Sequence, residues 1–486
     1  MWFFIRILHN MNTSRSECLS LAGLESLFSG CGDFTIRKID FGLEEDLTLP
    51  VCWLDGAVSG ETVGQEILRP LTDLLRAGRE RTVSSSFSRI LAGGVYRCSV
   101  QERRELSQAA EDLCRGCCLV LFEELGCALS FESKTSQRRA VAEPTLEKSL
   151  KGGKDSFTET LRVNTALVRQ RLATPSLKLA ESTLGQRSHT QVAMLYLEGA
   201  VREETVRELA SRLDRLQVDT LLSLGPLEEG IVDAPYSPFP QLLHTERPDR
   251  FAMLLCQGKI GLLVDGLPVG LLLPVTLSGF FRVTGDSSMH PAVSTLLTAL
   301  RFLAAGIAAL LPAFFTAVAL YHQESIPTRL LISIIQAEQD LPFSTVLEVF
   351  GMLIAFSLLQ EAGLRMPNPI GDTVSIIGAL IVGQAAVEAK LVSPLAIIVV
   401  AVSGIACYTL PSQDLGFALR LCRLALLLGA VFAGLFGVGA VACLILLHLA
   451  ELESFGAPYA APLATGRRGA LSRLLLRRSR AKRRTT

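Results

Sequence analysis

Histidine and the large aromatics are scarce in these 486 residues: six His, two Trp and six Tyr. The six histidines, His9, His189, His244, His290, His322 and His448, stand apart from one another, and no HExxH is present, which excludes the common helical zinc-hydrolase arrangement. GxSxG and the GxGxxG dinucleotide fingerprint are missing too. Gly152-Gly153-Lys154-Asp155-Ser156 carries a Gly-Lys pair, but the upstream glycine of a phosphate loop is missing and Asp155 stands where that loop needs Ser or Thr. Of twelve cysteines, Cys114 and Cys117 form one CxxC without the second pair that a zinc site needs, so the set reads as small buried thiols in a reducing compartment. No cofactor or metal is implied, and no enzymatic chemistry is expected.

Charge is also sparse. Only 19% of residues are Asp, Glu, Lys or Arg, and the mean hydropathy is +0.39, a composition that suits a chain partly solvated by lipid. The formal balance of 47 basic and 47 acidic residues hides an asymmetry: nine Lys/Arg and no acid lie between Arg467 and Arg484. Up to about residue 290 charges are frequent. Beyond it, Leu303–Tyr321, Leu391–Leu410 and Leu424–Leu447 carry none, and each is long enough to span a hydrocarbon core as a helix, with Asp414, Arg420 and Arg423 in the last connector. Val349–Leu359 is shorter and lies between Glu348 and Glu361, the length of a re-entrant or interfacial helix, and Thr373–Val387 lies between Asp372 and Glu388. The basic tail should remain cytoplasmic, and the N-terminal region, without an export signal, should share that side; an even number of crossings follows, taken as four with Val349–Leu359 not crossing.

The N-terminal half repeats itself. Trp53-Leu54-Asp55-Gly56-Ala57-Val58 with Glu61-Thr62-Val63 matches Tyr196-Leu197-Glu198-Gly199-Ala200-Val201 with Glu204-Thr205-Val206, and Cys114-Arg115-Gly116 matches Cys256-Gln257-Gly258 at nearly the same offset. Each copy reads as a strand, a Gly turn, a charged helix, and later a helix that ends at Gly and feeds a hairpin. In the second copy that hairpin is Lys259–Val264 and Leu267–Val275 about a tight Asp265-Gly266 turn, not a membrane span. The expected fold class is an α+β soluble N-terminal region of two related α/β modules followed by an all-α polytopic membrane domain. Its parts are an extension at 1–32, modules at 33–144 and 145–290, a membrane domain at 291–451 and a basic cytoplasmic tail at 452–486.

Ionisable groups near membrane depth are costly and mark pathways or buried pairs. Glu348, Glu361, Asp372, Gln384 and Glu388 flank or enter the two short apolar elements, with Pro367, Pro369, Gly371 and Gly378 breaking the helices between them, so these are the candidate ion-pathway residues. Attraction to anionic lipid headgroups accounts for the basic tail, and no nucleic-acid partner is expected.

Tyr236-Ser237-Pro238-Phe239-Pro240-Gln241, Thr245-Glu246-Arg247-Pro248-Asp249, Ile326-Pro327-Thr328, Glu361-Ala362-Gly363-Leu364-Arg365, Gly383-Gln384-Ala385-Ala386-Val387-Glu388-Ala389 and Ser454-Phe455-Gly456-Ala457-Pro458-Tyr459, together with Asn164-Thr165-Ala166-Leu167-Val168-Arg169-Gln170-Arg171, resemble the A-subunit family of bacterial spore germination receptors (GerA type). The resemblance runs from about 140 to 463 and more loosely back to 33. It implies a homo-oligomeric, non-enzymatic subunit of a nutrient receptor in the spore inner membrane. It further implies a transporter-like B subunit and a lipoprotein C subunit as partners, and an ion channel whose opening starts germination.

Glu246, Arg247, Pro248 and Asp249 are the candidate motif and interface residues, with Pro248 suited to the first turn of a helix. The chain departs from the family in Gly285-Asp286-Ser287-Ser288-Met289-His290-Pro291, where an acidic and aromatic run is common, and in Asp372 and Arg329. Two other readings are an accessory protein of the same fold associated with dipicolinic acid release, and a secondary transporter, which the lack of an internal repeat in the membrane half disfavours.

Overall fold

A computed structural model describes residues 19–40, 48–58, 60–77, 83–95, 99–133, 147, 153–339, 341–365 and 383–462. The chain forms two compact units. The first runs to Pro235 and resumes at Leu242–Pro274; the second takes Tyr236–Gln241 and the described residues from Val275 onward, earlier than the boundary expected at 290.

The first unit holds the duplication. Strands β1 (Phe34–Asp40), β2 (Thr48–Leu54), β3 (Val100–Arg103), β4 (Cys117–Phe122) and β5 (Cys127–Glu132) form a sheet in the order β1-β2-β4-β5-β3. Strands β6 (Leu177–Leu184), β7 (Thr190–Leu197), β8 (Leu243–Thr245), β9 (Ile260–Val264) and β10 (Gly270–Leu273) repeat that order as β6-β7-β9-β10-β8, with the pairings antiparallel throughout. The matched glycines adopt matched backbones: Gly56 and Gly199 have φ of 87° and 76°, and Gly116 and Gly258 have 88° and 84°, values that a Cβ would oppose. Sequence had shown the inner strands. The leading strands β1 and β6 and the edge strands β3 and β8 complete each sheet.

Alternation along β2 explains why it reads as a continuous apolar run. Val51 and Trp53 enter one core with Val120, Phe122 and Phe131, while Cys52 and Leu54 enter another with Leu119, Leu121 and helix α1 (Leu106–Cys114). Burial pushes the Cys52 and Cys114 thiols up to about 12, so both are neutral packing groups. The helix Leu21–Leu27 packs into the same core through Leu24, so the first module begins before residue 33.

The β9–β10 hairpin has Gly270 opposite Leu263, which leaves a longer loop than the tight Asp-Gly turn expected. Pro268 has no N–H for the ladder, and the Asp265 carboxylate instead accepts from Leu161 N at 2.9 Å, at the start of α2 (Leu161–Arg171).

Lys259 precedes β9 and donates its ammonium to the Pro274 carbonyl; burial lowers its pKa from 10.5 to about 8. The unfolded chain therefore holds a proton across this window that the native state has shed. Stability rises with pH from about 8 to 10.5, and the penalty is fully present below about 8. Lys259→Met is expected to flatten that rise, measured as the pH dependence of the melting temperature of the N-terminal unit.

In the second unit, helices α3 (Pro291–Tyr321), α4 (Thr328–Gln339), α5 (Thr345–Arg365), α6 (Pro394–Tyr408) and α7 (Gln413–Glu451) follow one another. Three are long and apolar enough to cross a membrane: Pro291–Tyr321, Thr345–Ala362 and Gln413–Glu451. Val349–Leu359, expected not to cross, is thus the interior of a 21-residue helix. Its flanking Glu348 is absorbed by burial rather than marking an end.

The run Leu424–Leu447, expected as one span, is divided. Ala433 and Gly434 leave helical geometry, Gly434 at φ 58° and ψ −140°. A Cβ built on Gly429 would lie 2.8 Å from the Gly437 carbonyl oxygen and 2.8 Å from Val441, a proximity impossible along a straight helix, where eight residues advance about 12 Å. The two halves of α7 therefore lie back to back as a helical hairpin. Phe432 and Phe436 stand exposed beside its tip, and Tyr321 at the end of α3 donates to Val431 O at 2.6 Å. The first ten residues of Thr373–Val387, with Gly371, Asp372 and the rest of 366–382, lie outside the described residues, as do 1–18 and the basic tail from 463.

Candidate functional site: buried polar groups

Helix crossings are set by small residues. Ala308 and Ala304 of α3 meet Ala406 and Cys407 of α6, and Ala309, Ala313 and Ala317 meet Leu426, Ala430 and Val438 of the α7 hairpin. Within this close packing sit ionisable groups whose burial sequence reading only partly anticipated. Glu348, near the start of α5, is 2% exposed; one carboxylate oxygen accepts from Ser393 N, where Ser393 caps α6 and its hydroxyl accepts from Ala396 N at 3.2 Å. A carboxylate at a helix N-terminus is favoured by the unpaired N–H groups there. The second oxygen, Oε2, has no hydrogen-bond partner among the described residues.

Arg420 and Arg423 belong to the first arm of the α7 hairpin rather than to a connector. Arg423 is 3% exposed and donates through Nη1 to Ser403 Oγ at 3.3 Å, and Ser403 in turn donates to Ala308 O at 2.9 Å. The Arg420 guanidinium carbon lies 5.0 Å from the centre of the Phe417 ring. The Nε atoms of both arginines are buried without partners among the described residues. Nothing in sequence spacing links Ser403 to Arg423; the fold does.

The other sequence candidates are placed differently. Glu361, Gln384 and Glu388 are exposed on the isolated unit, and Asp372 lies outside the described residues. None of Glu361, Gln384 and Glu388 is hydrogen-bonded to Glu348. Arg247, Pro248 and Asp249 form an ordered corner in the first unit: Pro248 opens the helix Pro248–Leu255, and Arg247 grips Asp249 through Nε at 3.0 Å and Nη2 at 2.6 Å. Burial alone would raise the Asp249 carboxyl, but the Arg247 hydrogen bonds and charge outweigh it and hold it below the usual range. Thr245 donates to Glu147 at 2.7 Å and Arg250 pairs with the same carboxylate. Glu246 contributes its carbonyl, which accepts from Phe157 N at 2.7 Å.

The remaining motif residues cluster in the second unit. Ser454 and Ala457 pair across a two-residue turn in which Phe455 and Gly456 both have positive φ, 49° and 68°, which is why glycine stands there. That turn places Tyr459, fully buried, to donate to Pro240 O at 2.8 Å, while its carbonyl accepts from Leu277 N at 2.8 Å. Ser237 meets His448 Nε2 at 2.9 Å. The segments before α3 and after α7 therefore meet at one end of the helical unit. Tyr459→Phe leaves the Pro240 carbonyl unpaired in an apolar setting and is expected to cost about 1–2 kcal/mol, checked by the thermal midpoint of the purified chain.

The family model described as Bacillus/Clostridium GerA spore germination protein matches residues 22–486. The chain is 35% identical to an uncharacterized membrane protein, YfkQ, of Bacillus subtilis (strain 168), over 94% of this chain and 88% of that protein. It is 31% identical to spore germination protein KA of the same organism, over 93% and 82% of the two chains. Among solved structures, the N-terminal domain of the A subunit of the Bacillus megaterium spore germinant receptor GerK3 is similar at 26% identity, covering 52% of this chain and 92% of that one, with a TM-score of 0.41. A match that runs through both modules, the helical unit and the hairpin around Tyr459 shows that the chain belongs to the GerA family of spore germination proteins, that of the germination receptor A subunits.

Proposed function

We propose that this chain is the A subunit of a nutrient-responsive receptor in the spore inner membrane, and that several copies together form or gate a passage for monovalent cations whose opening begins germination. The observation that carries the reading is the family match over both units, joined to ionisable side chains held at low exposure inside a bundle of apolar helices. The role is non-catalytic. Nutrient recognition falls to a transporter-like B subunit, with a lipoprotein C subunit completing the receptor, and the nutrient acts by favouring the open arrangement of the helical units over the closed one. Both termini of the helical unit face the cytoplasm in this reading, supported by the meeting of Leu277 with Tyr459 at one end. Potassium release from spores tests it. Spores lacking this chain but retaining its B and C partners are expected to release no potassium on nutrient addition and to regain release on complementation; undiminished release would remove the chain from the receptor.

A further inference from the structure

Beside Glu348 the helical unit contains a cavity of about 390 Å³, within the range of small-molecule sites. Its walls are Phe343 just before α5, Leu347 and Phe350 in the first turns of α5, and Leu391 and Val392 before α6, and its one acidic lining group among the described residues is Glu348. The carboxylate is almost wholly withdrawn from solvent, with one oxygen committed to Ser393 N and the other, Oε2, unpartnered among the described residues. A donor reaching Oε2 from the cavity would complete the group.

The lining decides the class of donor. A bare metal cation wants a shell of oxygen ligands, and these walls are aliphatic and aromatic. A protonated primary amine supplies three N–H donors and the opposite charge, and its carbon body suits the apolar walls. Phe343 and Phe350, half exposed at the site, add aromatic surface of a kind that attracts cations.

We infer that this cavity is a binding site for a small organic ammonium compound with an apolar body, held by Glu348. The inference goes beyond the channel reading and does not depend on it, because binding is measured without nutrient or ion flux.

Gly351 provides a variant that tests the cavity without touching the carboxylate. It lines the site, and a Cβ added there meets nothing within 4 Å, so Gly351→Leu places a side chain in open space. The experiment measures binding of hexylammonium and of hexanol to the purified full chain in detergent, by thermal shift and titration calorimetry. Wild type is expected to bind the ammonium at least about tenfold more tightly than the alcohol. Glu348→Gln is expected to abolish that preference and Gly351→Leu to abolish binding of both. Equal affinity for the two compounds in wild type, or a preference that survives in both variants, would overturn the proposal. So would a wild type that binds neither while Gly351→Leu breaks a homo-oligomer, since a second copy of the chain would then occupy the cavity.

Discussion

Replacing Arg169 by alanine is expected to destabilise the N-terminal unit by about 3–5 kcal/mol, among the largest effects available there. Arg169 lies on α2 of the second module and Asp33 just before β1 of the first, and both are 1% exposed. The pair is bidentate, with Nη2 donating to Oδ1 at 2.7 Å and Nε to Oδ2, while Nη1 donates to Leu177 O at 3.3 Å. Burial disfavours the guanidinium charge, and the Asp33 hydrogen bonds and charge more than offset it. Removing the arginine leaves a carboxylate sealed away from water with nothing to neutralise it. Neighbouring contacts bind the same seam: Gly32 N donates to Leu179 O at 2.8 Å and Lys178 Nζ to Leu27 O at 2.7 Å.

The discriminating comparison is with Asp33→Leu/Arg169→Met. Replacing both charges with apolar groups of similar size should recover much of the loss, because the cost of the single change is an orphaned charge rather than a missing attraction. Chemical denaturation followed in the N-terminal unit of the full chain measures both. Equal destabilisation by the single and double changes would show that packing, not charge, holds the seam.

Gly437→Ala is expected to disrupt the helical unit, where Gly306→Ala is not. A Cβ on Gly437 collides with the Gly429 backbone, and Gly429 meets the Gly437 carbonyl in return, so the two arms of the α7 hairpin touch main chain to main chain. Backbone cannot rotate aside as a side chain does, and the strain exceeds the ordinary overpacking cost of about 1–3 kcal/mol. Gly306 lies within α3, also helical, with nothing within 4 Å of an added Cβ. There alanine is expected to gain up to about 1 kcal/mol from helix propensity. Thermal unfolding of the two variants in detergent separates a close crossing from a generic glycine effect; similar midpoints would mean the arms do not pack as described.

The duplication was legible because its markers are local. A glycine at positive φ, an aromatic on the inner strand and a helix ending in Cys-x-Gly recur at a fixed spacing, and those backbone demands act wherever they stand in sequence. The strands β3 and β8 were not legible, being four and three residues long, with pairing supplied by tertiary context. The α7 hairpin has no sequence signal for a different reason. Ala433–Gly434 turns inside an apolar stretch, where no polar residue marks a chain reversal, and a hydropathy window sees only continuous grease.

Site residues divide in the same way. Glu348 stood out as an acid beside an apolar run, yet its partner is a backbone N–H, which has no sequence signature. Sequence places Arg423 in a connector because its charge interrupts the apolar pattern; the Ser403 hydroxyl that receives it lies in an otherwise featureless helix. Of the other acids expected to line a pathway, Glu361 and Glu388 are exposed on this single chain.

The central claim is that this chain belongs to an assembly that carries cations when a nutrient binds. The most direct measurement is current across a planar bilayer containing the purified receptor, with and without a nutrient that germinates the parent spores. The account predicts a nutrient-evoked cation current that vanishes when this chain is omitted. A correctly assembled receptor that binds the nutrient and remains electrically silent would contradict it.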